Sequence, residues 1–284
     1  MISKKTVAVT GGSGFIGIKV IEELLKNGHR VISLQRSSQP LLEIEWRYFD
    51  LSNPDSINKN LLSEVDIVIH AAALVHDASA SYELQDSCNF QATKNLFNLC
   101  VEEEIEKFIF LSSVAVYGLS SSSEIINVKS NTAPISAYAK AKLNSENFLL
   151  SSDVSTEISI LRLPLVYGKG APGNFGTLEK IAASKIPLPF LNINNKRSMV
   201  SVFSLAEIIV SAVECKDRYL GLQLLCEEQP FSTKELIKKL RVENGMTSLL
   251  FPFPKQVLKF VFTAFGKEKI YEVLFEDLEF ESTI

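Results

Sequence analysis

Between Thr6 and about Leu163, short apolar runs alternate with longer segments whose apolar residues recur at helical spacing. Thr6–Thr10, Arg30–Leu34, Trp46–Phe49, Asp66–His70, Lys107–Ser112 and Glu157–Leu163 predict strands. Segments such as Ile18–Lys26 and Phe90–Glu104 predict the helices between them. Several runs are almost continuously apolar, as expected of strands buried on both faces. Strand and helix in alternation predict βαβ units and a parallel sheet of the α/β class.

Local signals place the crossovers. Asn27-Gly28 reads as a helix end, and Asn53-Pro54 as a helix start with Asn as cap and Pro at the first helical position. The serine run Ser120–Ser123 and the polar stretch to Pro134 break the period, so a long loop follows the fifth strand, where such loops often shape sites. After Gly168 the character changes, with Gly173, Gly176, Pro187 and Pro189 punctuating shorter helices. Leu220–Cys226 reads as a further strand able to rejoin the sheet. We therefore expect two interleaved units: residues 1–167 with 201–226, and a smaller α/β lobe of residues 168–200 with 227–284.

Composition narrows the function. Lys and Arg total 29 against 33 for Asp and Glu, a formal charge of −4, and no basic block is long enough to follow a nucleic-acid backbone. Cys88, Cys100, Cys215 and Cys226 are scattered and accompany 3 histidines, so neither a metal site nor a disulfide framework is indicated, and a reducing cytoplasm fits. Met1–Thr10 lacks the apolar stretch of a signal peptide. Phe251–Phe265 is interrupted by Pro252, Pro254, Lys255 and Lys259, short of the roughly 20 apolar residues of a membrane span.

The first strand runs directly into Gly11-Gly12-Ser13-Gly14-Phe15-Ile16-Gly17 at the mouth of a helix, the context in which a glycine triplet binds a dinucleotide. The glycines allow a tight turn, close approach of backbone to pyrophosphate and close helix-to-strand packing, and the helix N-terminus offers free N–H groups. The expected architecture is thus a Rossmann-type doubly wound parallel sheet. An acidic residue ending the second strand would accept the adenosine ribose hydroxyls of NAD. Gln35-Arg36 stands there instead. A guanidinium can hold a phosphate bidentately, which favours NADP over NAD, unless Arg36 simply lies in solvent. Asp50 either accepts from the adenine amino group or opens the turn before Asn53-Pro54. His70, ending a buried strand, is read as a core histidine without chemistry.

Tyr138 and Lys142 are four apart on a predicted helix and share a face, while Lys140 points elsewhere. A phenol ionises near pH 10, and a nearby ammonium stabilises its phenolate, bringing it toward useful acid–base range. Ser113 at the end of the fifth strand supplies a hydroxyl to position a substrate oxygen. A strand-end serine, this pair and the glycine turn together form a specific signal.

At this point the chain resembles the extended short-chain dehydrogenase/reductases, in particular the NAD-dependent epimerase/dehydratase group acting on nucleotide sugars. The resemblance covers most of the chain. It is carried by Gly11–Gly17, Ile69-His70-Ala71-Ala72-Ala73, Asn89, Ser112-Ser113-Val114-Ala115-Val116-Tyr117-Gly118, Tyr138 with Lys142, and Leu161-Arg162-Leu163-Pro164-Leu165-Val166-Tyr167-Gly168. It implies that Ser113, Tyr138 and Lys142 form a catalytic triad, with Tyr138 and Lys142 also touching the cofactor and Ser113 and Tyr138 the substrate. It further implies a cofactor site built from Gly11, Ser13, Gly14, Phe15, Ile16, Gly17, Arg36, Asp50, Leu51, Ala71, Ala72 and Ala73. Gly173-Asn174-Phe175, Ile186-Pro187-Leu188-Pro189 and Asn195-Lys196-Arg197-Ser198-Met199-Val200 look like the nucleotide-sugar segment of bacterial enzymes that make surface polysaccharide precursors. Asn174 then becomes a sugar or phosphate contact and Arg197 a diphosphate contact, a role suited to a planar two-pronged donor. An ordinary surface charge is the alternative for Arg197.

Dehydratases of this family carry an Asp-Glu pair after the catalytic hydroxyl; Val114 and Ala115 stand there and can move no proton, so dehydration is disfavoured. Hydride transfer at C4 is left. The expectation is NADP-dependent reduction of a UDP-linked 4-keto-6-deoxy-N-acetylhexosamine, with an NAD-dependent UDP-sugar 4-epimerase as the alternative. A non-catalytic NAD(P)-binding sensor is the reading from another class. The resemblance also implies a homodimer pairing Phe90–Glu104 and Tyr138–Leu150. Relatives usually continue past the position of Phe280-Glu281 with a helix and a Leu-Gly-Trp segment, so part of the small lobe is expected to be missing from this chain, which ends at Ile284.

Overall fold

The computed structural model describes residues 4–36, 43–75, 81–184, 186–215, 219–247 and 249–284, with the side chains of Asn174 and Thr177 left undescribed. The first half contains β1 (Thr6–Thr10), α1 (Phe15–Lys26), β2 (Arg30–Gln35), β3 (Glu45–Tyr48), β4 (Ile67–His70), α2 (Tyr82–Gln85), a π-helical turn (Asp86–Gln91), α3 (Ala92–Glu102) and β5 (Lys107–Ser113). After a long loop come α4 (Ala137–Leu150), β6 (Glu157–Leu163), β7 (Leu165–Tyr167), α5 (Gly173–Ala182), β8 (Met199–Ser201), α6 (Val202–Glu214) and β9 (Gly221–Leu224). Helices α7 (Thr233–Glu243), α8 (Lys255–Ala264) and α9 (Glu268–Phe275) complete the chain.

β1 to β6 and β9 form one parallel sheet in the order β3-β2-β1-β4-β5-β6-β9, the doubly wound topology expected from the alternating pattern. The order reverses between β1 and β4, and the crevice beyond the carboxyl ends of strands at such a reversal is where ligands bind in this architecture. The run at 220–226 does rejoin the sheet, as β9 beside β6. One face is packed by α1 and α6, through Val20, Ile21, Leu24, Leu205, Ile209 and Val213. The other is packed by α3 and α4, with Leu96, Phe97, Cys100 and Leu149 against Val68, Phe108 and Ile160. A separate apolar cluster around Tyr167, Phe175, Phe190, Ile237 and Phe275 joins the later helices.

Two local expectations change. Asn53 does cap a helical turn, its side chain accepting from the Asp55 N–H at 3.1 Å, but Pro54–Ser56 is a single 3₁₀ turn and a second follows at Lys59–Leu61. Only Ile57, Leu61 and Leu62 are apolar here, too few for the stripe a crossover helix needs to bury. Conversely, the helix expected at 90–104 begins at Tyr82 and carries the π-helical turn, whose irregularity presents Asn89 to its neighbours.

Candidate active site

The turn between β1 and α1 is built to bring backbone close to a ligand. Gly11 lies at φ +69°, and a Cβ there would come 3.0 Å from the Ala72 backbone. At Gly17 a Cβ would sit 2.1 Å from the Gly11 carbonyl oxygen, so only glycine lets α1 start this close to the turn. Gly14 N–H donates back to the Gly11 carbonyl at 2.8 Å. Gly14 is also the N-cap of α1, no side chain caps the helix, and no acid lies in its first turn. The helix therefore presents uncapped N–H groups and the positive end of its dipole to the crevice. Ser13 and Gly14 are exposed and Phe15 and Ile16 half-buried at its rim. Thr10 Oγ1 accepts from Ala72 N–H at 3.0 Å and so ties the segment after β4, Ala71 to Ala73, against the turn.

At the end of β2, Gln35 is buried, its Oε1 accepting from Ser33 Oγ at 2.8 Å, while Arg36 is exposed. Burial and then the Asp50 carboxylate push the Cys88 thiol up, with Arg36 acting the other way. Asp50 Oδ1 accepts from both N–H and Oγ of Ser52, at 2.9 and 2.8 Å, the turn-opening role weighed for it; Leu51 packs on the core beneath. His70 is a satisfied core residue. Its two ring nitrogens lie 2.8 Å from Thr10 Oγ1 and 2.9 Å from Thr93 Oγ1, and burial, then Lys142, push its pKa down to about 3.

Ser113, Tyr138 and Lys142 come together where β5 ends beside α4. Ser136 caps α4 by accepting from Ala139 N–H at 3.1 Å, and this starts the helix so that Tyr138 faces the strand. The Ser113 hydroxyl accepts from Ala115 N–H at 3.1 Å and lies near the Tyr138 phenol, whose ionised form it favours. Lys142 is 2% exposed, whereas Lys140 is exposed, as their spacing predicts. Lys142 Nζ donates to the Leu111 carbonyl at 2.7 Å and lies 5.9 Å from the Tyr138 ring centre. The electrostatics differ from the expectation of a phenol lowered by its lysine. Burial pushes Tyr138 up to about 12, opposed by Ser113, and burial pushes Lys142 down to about 7, opposed by Glu146. For each group the cost of burying its charged form dominates, and the ammonium donates its hydrogen bond to the Leu111 carbonyl.

Arg197 is half-buried and its Nη1 donates to the carbonyls of Ser120, Glu272 and Glu276 at 3.1 to 3.3 Å. It thereby joins the loop after β5 to the end of α9, and its own backbone pairs with Phe231. Burial pushes its pKa down to about 10, opposed by Asp277. It is not the free surface charge of the alternative reading. Asn174 lies in the first turn of α5; its side chain falls outside the described residues.

Sequence reading gave no role to Glu146 and Arg162. Both are buried and joined, Nη2 to Oε2, at 2.6 Å. The signals were an acid four residues beyond Lys142 on the same helix and a charge inside an apolar strand.

A family model described as the NAD dependent epimerase/dehydratase family matches residues 7–220. The chain belongs to this family. Extended short-chain dehydrogenase/reductases of this kind share the parallel sheet and glycine turn described above. The chain is 29% identical over 281 residues to the UDP-glucose 4-epimerase of Vibrio cholerae, covering 95% of this chain and 85% of that protein. The structure of the UDP-Glc/GlcNAc 4-epimerase from Campylobacter jejuni superposes with a TM-score of 0.72 at 22% identity, over 88% of this chain and 87% of that one. The Bordetella bronchiseptica enzyme WbmG, solved in complex with NAD and UDP, gives 0.74 at 18% identity, over 99% and 86%. At such identities the structural likeness establishes the fold. Among the described residues of this family member, no helix is long and apolar enough to cross a membrane.

Proposed function

We propose that this chain transfers hydride at C4 of a UDP-linked sugar, and that it does so as an NADPH-dependent reductase of a 4-keto-6-deoxy-N-acetylhexosamine. The glycine turn, in which a Cβ at Gly11 or Gly17 would fill the space, and the uncapped start of α1 fit a dinucleotide pyrophosphate. Gly11, Ser13, Gly14, Phe15, Ile16 and Gly17 would hold it, with Arg36, Asp50, Leu51 and Ala71 to Ala73 around the adenosine. The bound nicotinamide supplies hydride at the sugar C4. Tyr138 gives its proton to the C4 oxygen, Ser113 orients that oxygen, and Lys142 bears the charge that balances the developing phenolate. Asn174 and Arg197 are the proposed substrate contacts. Val114 and Ala115 open the 3₁₀ turn after β5 and offer no carboxyl for eliminating water.

The observation that carries the choice of reductase is the end of β2, where Gln35 is turned inward and the exposed side chain is a guanidinium. NADPH should bind more tightly than NADH, and Arg36→Ala should erase the difference; equal affinities in wild type refute the reading. Consumption of NADPH with the UDP-linked 4-ketone tests the reaction. The Vibrio relative favours a second reading, a UDP-sugar 4-epimerase retaining NAD. Interconversion of UDP-GlcNAc and its C4 epimer without net cofactor consumption would select it. In either case we assign residues 1–167 and 201–226 to cofactor binding and 168–200 with 227–284 to the sugar nucleotide. A cytoplasmic homodimer formed through α3 and α4 is the corresponding assembly, testable by sedimentation.

A further inference from the structure

Three consecutive residues of β5 face three successive turns of α4. Ser113 neighbours Tyr138, the Leu111 carbonyl accepts from Lys142 at 2.7 Å, and Ser112 Oγ donates to Glu146 Oε1 at 2.5 Å. Tyr138, Lys142 and Glu146 are each four residues apart and so lie on one helix face. Glu146 is 0% exposed, and its carboxylate also accepts from Arg162, from Nε to both oxygens at 3.1 Å and from Nη2 at 2.6 Å. Arg162 Nη1 donates to the Tyr117 hydroxyl at 2.8 Å, which donates to the Asn127 carbonyl at 2.9 Å. Every member of the chain is satisfied, and it runs from behind the reacting groups into the loop after β5.

The backbone ladder beside this pair already joins β5 and β6 along their whole lengths, Lys107 to Ser113 against Glu157 to Leu163. Buried ion pairs are often no more stabilising than apolar residues of the same shape, so this one calls for another role. Lys142 provides it. The groups facing that ammonium are Tyr138 and Glu146 on its own helix, the Leu111 carbonyl and the Phe110 ring on β5, and His70 on β4, which is held neutral. Among the described residues, Glu146 is the carboxylate that acts on Lys142.

Resting on the reading of Tyr138 and Lys142 as the acid–base pair, we propose that Glu146 is a positioning residue that keeps Lys142 charged beside Tyr138, with Ser112 and Arg162 fixing Glu146 in place. Without the carboxylate, burial would act on the Lys142 ammonium unopposed and it would lose its proton more readily.

The test is an NMR titration of the full chain with lysines isotopically labelled at Cε, Lys142 being assigned by the signal lost in Lys142→Met. The wild-type midpoint is expected at about 7. In Glu146→Gln it should fall by about one pH unit. The double variant Glu146→Gln/Arg162→Met removes both buried charges and guards against a fold lost to an unpaired arginine. Its midpoint should also fall, by less. A folded Glu146→Gln, or failing that a folded double variant, whose Lys142 titrates as in wild type overturns the proposal. So does failure of both to fold, which would make the pair purely structural. Where turnover is measured, the pH inflection of kcat should move with the Lys142 midpoint while KM stays nearly constant. Absence of turnover by wild type on any UDP-sugar would refute the proposed function, yet leave the titration to judge Glu146.

Discussion

Lys142 should make the protein less stable than it could be, and the cost should depend on pH in a direction the structure sets. The side chain is 2% exposed and its pKa falls from the ordinary 10.5 to about 7 because burial disfavours the ammonium. Each pH unit of that gap corresponds to about 1.4 kcal/mol, so below pH 7 the folded state carries a charge-burial cost of roughly 5 kcal/mol relative to the unfolded chain. Methionine has similar length and no charge, but it leaves the Leu111 carbonyl without its donor, a loss of about 1–3 kcal/mol. Lys142→Met should therefore be more stable than wild type by about 2–4 kcal/mol below pH 7. The unfolded chain holds the lysine proton more tightly than the folded one, so wild-type stability rises, relative to the variant, as pH rises from about 7 toward 10.5. Urea unfolding of both proteins at a series of pH values from neutrality upward gives the difference directly. A variant that is less stable than wild type at neutral pH, or a difference that does not change with pH, would refute the reasoning that burial dominates at Lys142.

Tyr138→Phe should keep the fold and lower kcat by about 10²–10⁴-fold, since it removes the proton donor but not the ring; an unchanged cellular phenotype would instead favour the sensor reading. Gly17→Ala places a methyl 2.1 Å from the Gly11 carbonyl oxygen, so α1 must move from the turn and dinucleotide affinity, followed by fluorescence titration, should fall more than about tenfold. Arg241 is 0% exposed and donates to the carbonyls of Ala182, Ser184, Ile186 and Leu249, holding the segment after α5. Arg241→Met should cost about 3 kcal/mol or more in denaturant unfolding by leaving those carbonyls unpaired.

The alternation of apolar runs and helical stretches was enough to give the seven strands of the parallel sheet, because strands buried on both faces and helices packed on them leave local periodic traces. The same holds for the glycine turn, whose residues must lie next to one another in the chain, and for Tyr138 with Lys142, which share one helix. Lys142 was separable from Lys140 by spacing alone. Asn53-Pro54 shows the limit of local signals: the cap formed, but without an apolar stripe behind it no helix followed. What brings Ser113 to Tyr138, Leu111 to Lys142 and Ser112 to Glu146 is the packing of α4 along β5, across more than twenty residues of loop. Tertiary structure alone likewise decided that burial raises Tyr138 and lowers Lys142, that Arg162 pairs with Glu146, and that Arg197 joins the β5 loop to α9. A charge's partner and its dehydration depend on residues distant in sequence, whereas periodicity and turn geometry depend on neighbours.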